Sequence, residues 1–263
     1  MEIKRGTWVK MKYNLTEPIA ERKTKTVYKD GDKTIKLFIE NYSKADILNE
    51  ALNQARVEEG TDLNIPKLLE VSKIDNRWAL VSEHIEGTPL DKLMEQHPEK
   101  LDEYMNLFID VQLNILNHTV PLLNRIKEKY TRKINQTDSI HDNAKYELLQ
   151  RLDGMENHNK VCHGDYNPSN VIIKEDGTAF VIDWAHVTQG NAAADSAKTF
   201  LLFSMEQRED LANKYLDMFA EKSEISKGLI QRWIPIVAAS QMARATDEER
   251  EFLSKWIDVV DYE

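Results

Sequence analysis

The hydrophobic pattern of this chain changes character near residue 86. Before that point apolar residues come in short runs broken by turn dipeptides. Residues 24 to 29 and 33 to 39 flank Asp30-Gly31, and residues 67 to 74 and 77 to 82 flank Asp75-Asn76, a pattern that predicts two β-hairpins. Residues 7 to 15 alternate loosely, as a further strand would. One helix interrupts these strands, with Ser43 as N-cap and Asp46 three residues on as its capping-box partner. Ile47, Leu48, Ala51, Leu52 and Ala55 recur at helical spacing and define its expected buried face. After Glu83-His84-Ile85-Glu86-Gly87 the period becomes helical, with Thr88 as an expected N-cap and Pro89 at the first helical position. Helices are predicted over 101 to 116, from Pro121, and over 141 to 157, 207 to 222, 228 to 245 and 247 to 260. A strand, a short segment ending in glycine and then helices is the pattern of a hinge between two lobes. The expected division is 1–86 and 87–263.

Within the helical region a single stretch breaks the pattern. Val171-Ile172-Ile173-Lys174 and Ala179-Phe180-Val181-Ile182 are apolar runs joined by Glu175-Asp176-Gly177-Thr178, a third hairpin. It is entered through His163-Gly164-Asp165-Tyr166-Asn167-Pro168-Ser169-Asn170 and left through Asp183-Trp184. Antiparallel pairing brings both ends to one edge, so Asp165, Asn170 and Asp183 converge. Two hard oxygen donors suit Mg²⁺ carrying a nucleotide phosphate, because that ion keeps most of its positions for phosphate and water. The remaining carboxylate, Asp165, is placed to accept a proton from a substrate hydroxyl or to orient it. His163 is expected to hold the loop through ring hydrogen bonds, and Gly164 to supply a conformation other residues avoid.

His163-Gly164-Asp165-x4-Asn170 followed by Ile182-Asp183-Trp184 resembles the catalytic loop and metal motif of the aminoglycoside phosphotransferase and choline kinase-like families, whose fold is related to that of protein kinases. The resemblance implies an α+β, two-lobed protein-kinase-like fold with a small β-rich N-lobe and a mainly helical C-lobe. It implies a small-molecule kinase using ATP or GTP with Mg²⁺ and a hydroxyl acceptor. Asp165 would be catalytic, and Asn170 and Asp183 would hold metal. Lys36, inside the apolar run Thr34-Ile35-Lys36-Leu37-Phe38, would grip the nucleotide phosphates, with Lys29 and Lys33 as edge-strand alternatives. Glu50 on the following helix would pair with Lys36, with Glu58 and Glu59 behind it. The backbone around Glu83 and Ile85 would meet adenine. Asp195, at the start of a helix, would brace the catalytic loop or simply cap its helix.

The chain departs from the family pattern in one place. Residues 7 to 30 contain no glycine, where a glycine-bearing hairpin commonly covers the phosphates; basic residues between 17 and 26 stand there instead. This motivates an alternative, a nucleotide-binding pseudokinase or regulatory module with little turnover. Retention of Lys36, Asp165, Asn170 and Asp183 argues for the enzyme. A protein kinase is disfavoured because no A-P-E-like segment follows Asp183, and a P-loop is excluded by the lack of its G-x-x-x-x-G-K-[ST] signature.

Composition bounds the rest. With 45 acidic and 35 basic residues the formal charge is −10, which argues against a nucleic-acid or anionic-membrane partner and tilts the acceptor towards an aminoglycoside-like or other cationic molecule. Glu206, Glu209, Asp210, Glu221, Asp247, Glu248 and Glu249 are either a pocket for such an amine or solvated helix faces. One cysteine precludes an internal disulfide framework, and Cys162 reads as a buried packing thiol. No apolar run approaches membrane-spanning length, so a cytoplasmic protein is expected.

Overall fold

The computed structural model describes residues 13–257. It divides into two compact units, one of residues up to Ala51 with Pro66–Ile85 and one of Leu52–Ile65 with the chain from Glu86 onward. Against a single cut between 86 and 87, the boundary falls one residue earlier and the main difference is the excursion 52–65. Its physical basis is that Val57 and Ile65 bury in the core of the helical unit and that Asn64 O accepts the Val181 N–H at 3.0 Å.

The first unit is an antiparallel five-stranded sheet. Its strands are β1 (Pro18–Arg22), β2 (Lys25–Asp30), β3 (Lys33–Phe38), β4 (Leu68–Ile74) and β5 (Arg77–Glu83), in the order β1-β2-β3-β5-β4. The β4–β5 turn places Asp75 and Asn76 at φ 47° and 64°, the left-handed pair that matches strand twist. Most of the expected strand at 7 to 15 lies outside the described residues; β1 instead falls in the glycine-free stretch and forms a hairpin with β2 in which Arg22 opposes Lys25. One face of the sheet buries Ile35, Leu37, Ala79 and Val81, and the other buries Phe38 and Leu80 against Ile47 and Ala51 of helix α1 (Lys44–Gly60).

Ser43 caps α1 as expected, its Oγ accepting the Asp46 N–H at 3.2 Å. The buried face of α1 differs from the expected one. Ile47 and Ala51 are buried, but Leu48 and Leu52 are 44% and 47% exposed, whereas Glu50, Asn53, Gln54 and Val57 are buried. The helix has turned polar side chains inward because those side chains have partners there.

In the second unit, β6 (Thr88–Pro89), β8 (Val171–Ile173) and β9 (Ala179–Val181) form a sheet in the order β6-β8-β9, and β7 (Lys160–Cys162) pairs with β10 (Thr188–Gly190). Thr88 and Pro89 therefore do not open a helix. They pair with Ile173 and Ile172, and α2 (Leu90–Gln96) follows. Gly87 permits this approach, since a Cβ there would stand 2.5 Å from the Ile173 carbonyl oxygen. Helix α3 (Leu101–Leu116) has the expected bounds. Pro121 lies in a turn, with Leu122 at φ 68°, and the next helix, α4 (Ile126–Gln136), starts five residues later. The remainder is α5 (Asp142–Gly154), α6 (Ala192–Met205), α7 (Glu209–Ser223), α8 (Lys227–Gln241) and α9 (Asp247–Ile257). Residues 258–260 of the last predicted helix lie outside the described residues. Trp184, Tyr166, Phe108, Tyr215 and Trp233 fill the core of this unit. No helix among the described residues is long and apolar enough to cross a membrane.

Candidate active site

The third predicted hairpin is present, with β8 and β9 in register Val171↔Val181 to Ile173↔Ala179. Lys174 N–H donates to Thr178 O and Gly177 N–H to Lys174 O, closing its turn. The Ile182 N–H donates to Asn170 O at 3.0 Å, so the residue before Asp183 is bonded to Asn170 and the two expected metal donors emerge side by side.

The loop ahead of the hairpin is held from several directions. Cys162, Val161 and His163 are buried, and burial pushes the Cys162 thiol well above its ordinary pKa, which fits a packing residue and not a nucleophile. His163 Nδ1 accepts the Asp165 N–H at 3.3 Å, so the ring proton sits on Nε2, which donates to Ile182 O at 3.1 Å. The imidazole thus ties the loop before Asp165 to the strand before Asp183, and its ring lies 4.7 Å from that of buried Trp184. Gly164 has φ 78°. An added Cβ there would meet His186 O at 2.5 Å, so both conformation and space require glycine.

Asp165 itself is half-buried and faces a pocket. Its carbonyl accepts Nδ2 of both Asn167, at 3.0 Å, and Asn170, at 2.9 Å. With its amide nitrogen so used, Asn170 keeps its side-chain oxygen for another partner. Asp183, at φ 64° and ψ 63°, holds an uncommon left-handed conformation for a non-glycine residue. Two such oxygens are the number Mg²⁺ takes from protein in nucleotide sites. Among the described residues there is no group of three or more His, Cys, Asp or Glu that could hold a metal ion.

Asp195 lies in the first turn of α6 but is not its cap; Asn191 is, accepting the Ala193 N–H at 2.9 Å. Asp195 Oδ1 accepts the Gly164 N–H at 2.8 Å and Oδ2 accepts Gln112 Nε2 at 3.2 Å. Burial pushes its pKa up, while the Gly164 N–H opposes that by bonding the charged form. Gln112 also accepts the Tyr215 hydroxyl at 2.6 Å, and Tyr166 donates to Phe108 O at 2.7 Å, so α3, α6 and α7 converge beneath the loop. Sequence reasoning missed Gln112, Asn167 and Asn191. Gln112 left a signal, a lone amide among the apolar residues of α3.

In the first unit Lys36 Nζ donates to Glu50 Oε1 at 2.9 Å, both side chains being nearly buried, and Lys25 stands 4.0 Å from the same oxygen. Glu83 Oε2 accepts the Lys67 N–H, and His84 is fixed by its N–H to Asp32 O and by a 2.9 Å bond between its Nδ1 and Thr34 Oγ1. Ile85 is half-buried at the end of this unit.

Two cavities of the second unit concern an acceptor. One, about 1000 Å³, is lined by the expected acids Glu209, Asp210, Glu248 and Glu249, with Arg208 and Lys255 among them; Glu206, Glu221 and Asp247 do not line it. The other, about 200 Å³, contains Asp165. Its walls carry Lys129 and Lys133 of α4, Lys198 of α6 and Arg244 beyond α8, which sequence reasoning did not single out. Their signals were a lysine pair at i, i+4 and a lysine inside the apolar run of α6.

No curated protein matches the sequence. The fold is that of a thermostable mutant of aminoglycoside phosphotransferase APH(4)-Ia (TM-score 0.68, 13% identity, 92% of this chain and 90% of that one). It is likewise that of APH(3'')-Id from Streptomyces rimosus ATCC10970 (TM-score 0.63, 18% identity, 85% and 92%) and of a type VIII aminoglycoside-3'-phosphotransferase (TM-score 0.63, 14%, 88% and 93%). The α+β arrangement is therefore the kinase-like one. A family model matches residues 40–226, well over half of the chain, and this chain belongs to the phosphotransferase enzyme family.

Proposed function

We propose that this phosphotransferase moves the γ-phosphate of ATP or GTP, with Mg²⁺, onto a hydroxyl of a small molecule. The observation that carries the reading is the position of Asp165, half-buried at a pocket and held on a loop whose every flank is hydrogen-bonded. Among the similar proteins, a variant of the thermostable APH(4)-Ia has been solved as a ternary complex with ADP and hygromycin B, and APH(3'')-Id in complex with ADP and streptomycin.

In this reading the acceptor oxygen attacks the γ-phosphorus, the bond to the β–γ bridging oxygen breaks, and the nucleoside diphosphate departs. Asp165 orients the hydroxyl and takes its proton as the new P–O bond forms. Asn170 Oδ1 and the Asp183 carboxylate would hold Mg²⁺, which supplies charge neutralisation for the phosphates. Lys36, kept extended by Glu50, takes the phosphates of the nucleotide, and the backbone at Glu83 and Ile85 takes its base. His163 and Asp195 position the loop without touching reactants. Since the transition state is loose, catalysis here rests on placement and charge.

A module that binds nucleotide with little turnover is the second reading, favoured by the absence of glycine from β1 and β2. Asp165→Asn separates the two. As an enzyme the variant loses about 10²- to 10⁴-fold in kcat while nucleotide still raises its melting temperature. An acceptor-stimulated rate that the substitution leaves untouched would sink the enzymatic role of Asp165.

A further inference from the structure

We propose that the acceptor is anionic, and that its carboxylate or phosphate is held beside Asp165 by Lys129, Lys133, Lys198 and Arg244. This rests on the kinase reading and names the substrate class for it. It runs opposite to the expectation drawn from net charge, because a formal charge of −10 averages the whole chain whereas an acceptor meets one pocket.

The Asp165 pocket carries four cations against two carboxylates, Asp165 and Glu249. Several other lysines of this unit sit on acids, Lys92 on Glu95, Lys222 on Asp110, Lys214 on Asp102 and Lys227 on Asp217, while Lys127 rests on the Asp153 and Met155 carbonyls. Lys129, Lys133 and Lys198 make no ion pair among the described residues. Lys129 Nζ rests on the neutral carbonyl of His186 at 2.7 Å, and Lys198 Nζ on the side-chain amide oxygen of Gln241. Lys129 and Lys133 are one helical turn apart, a like-charge spacing that costs helix stability. The fold thus concentrates half-buried lysine charge, in excess of the pocket's carboxylates, next to the group that would activate the hydroxyl. Burial and mutual repulsion pull the Lys129 pKa down to about 7 and that of Lys133 to about 8, and an arriving anion would relieve that repulsion. At about 200 Å³ the pocket suits the charged end of a small molecule.

The phosphates of the nucleotide are the other source of the same chemistry, so the test has arms for both. The full chain is acylated with acetic anhydride near neutral pH and the rates at Lys129, Lys133 and Lys198 are followed by mass spectrometry. Inorganic phosphate, glucose 6-phosphate, gluconate, glucose, glucosamine or Mg-ATP is added separately. The expected result is slowing of all three rates by the anions, at least severalfold, with no slowing by glucose or glucosamine and further slowing when Mg-ATP is already present. Indifference to every anion overturns the proposal, as does full protection by Mg-ATP alone, which would give the pocket to the nucleotide. The same compounds are then assayed as acceptors. Turnover confined to the anions, with acceptor KM raised about tenfold or more by Lys133→Gln and nucleotide KM unchanged, supports the assignment. Turnover with glucosamine or a cationic antibiotic, but not with the anions, overturns it while leaving the kinase reading intact. Failure of the kinase reading would show separately, as no melting shift with nucleotide, and the acylation result would still decide whether the pocket takes anions.

Discussion

Asp195 Oδ1 accepts the backbone N–H of Gly164 at 2.8 Å, joining residues thirty-one apart in sequence through a wholly buried carboxylate. The loop that carries Asp165 is thereby hung from α6, one residue before that aspartate. Replacing Asp195 with Ala leaves the Gly164 N–H and the Gln112 amide without this acceptor. Loss of about 3 kcal/mol of stability is expected, the range for a buried hydrogen bond to a charged group, and chemical denaturation measures it. Asp195→Asn should keep more stability while lowering kcat with little effect on nucleotide KM, a split that mere destabilisation would not produce.

Gly164→Ala should injure the same loop differently. At φ 78° an L-residue pays about 1–2 kcal/mol, and its Cβ would stand 2.5 Å from His186 O, forcing the loop to move. A displacement of Asp165 on the order of 1 Å lowers kcat about 10²-fold. Steady-state rates near wild type would show that the loop absorbs the methyl group.

Lys36 and Glu50 lie 2.9 Å apart with side chains 13% and 10% exposed, so each is the partner of a nearly buried charge. Lys36→Met and Glu50→Gln should each raise nucleotide KM about tenfold or more, and the double variant should be no worse than Lys36→Met. Additive effects would mean that Glu50 acts other than through Lys36.

Lys129 makes stability depend on pH. Its folded pKa, about 7, lies below the ordinary lysine value of 10.5, because burial and the charges of Lys133 and Lys198 outweigh the attraction of Asp165 and Asp195. The unfolded chain therefore binds more protons between those two values, and stability should rise with pH across that window as the cost of the buried ammonium is relieved. Arg244 and Glu249 line the same pocket, and Lys133 titrates in the same direction from about 8. Melting temperatures from pH 7 to 10 should climb less in Lys129→Met than in the parent. Equal slopes would show that the ammonium is solvated at no cost.

What the sequence by itself determined were features set within a few residues: the Asp176-Gly177 hairpin, the cap of α1 at Ser43, the bounds of α3 and the juxtaposition of Asn170 with Asp183. Each follows from turn chemistry, capping or period, which neighbouring residues carry. Only the tertiary structure decided that Thr88 and Pro89 are strand and not helix, because their partners Ile172 and Ile173 lie more than eighty residues away. It likewise turned α1 so that Glu50 and Asn53 point inward and Leu48 and Leu52 outward, since Glu50 meets Lys36 and Asn53 Nδ2 donates to Ala185 O. The charge of the Asp165 pocket belongs to the same class. Lys129, Lys198 and Arg244 come from three separate elements, and a sum over 263 residues is blind to where a fold gathers its charges.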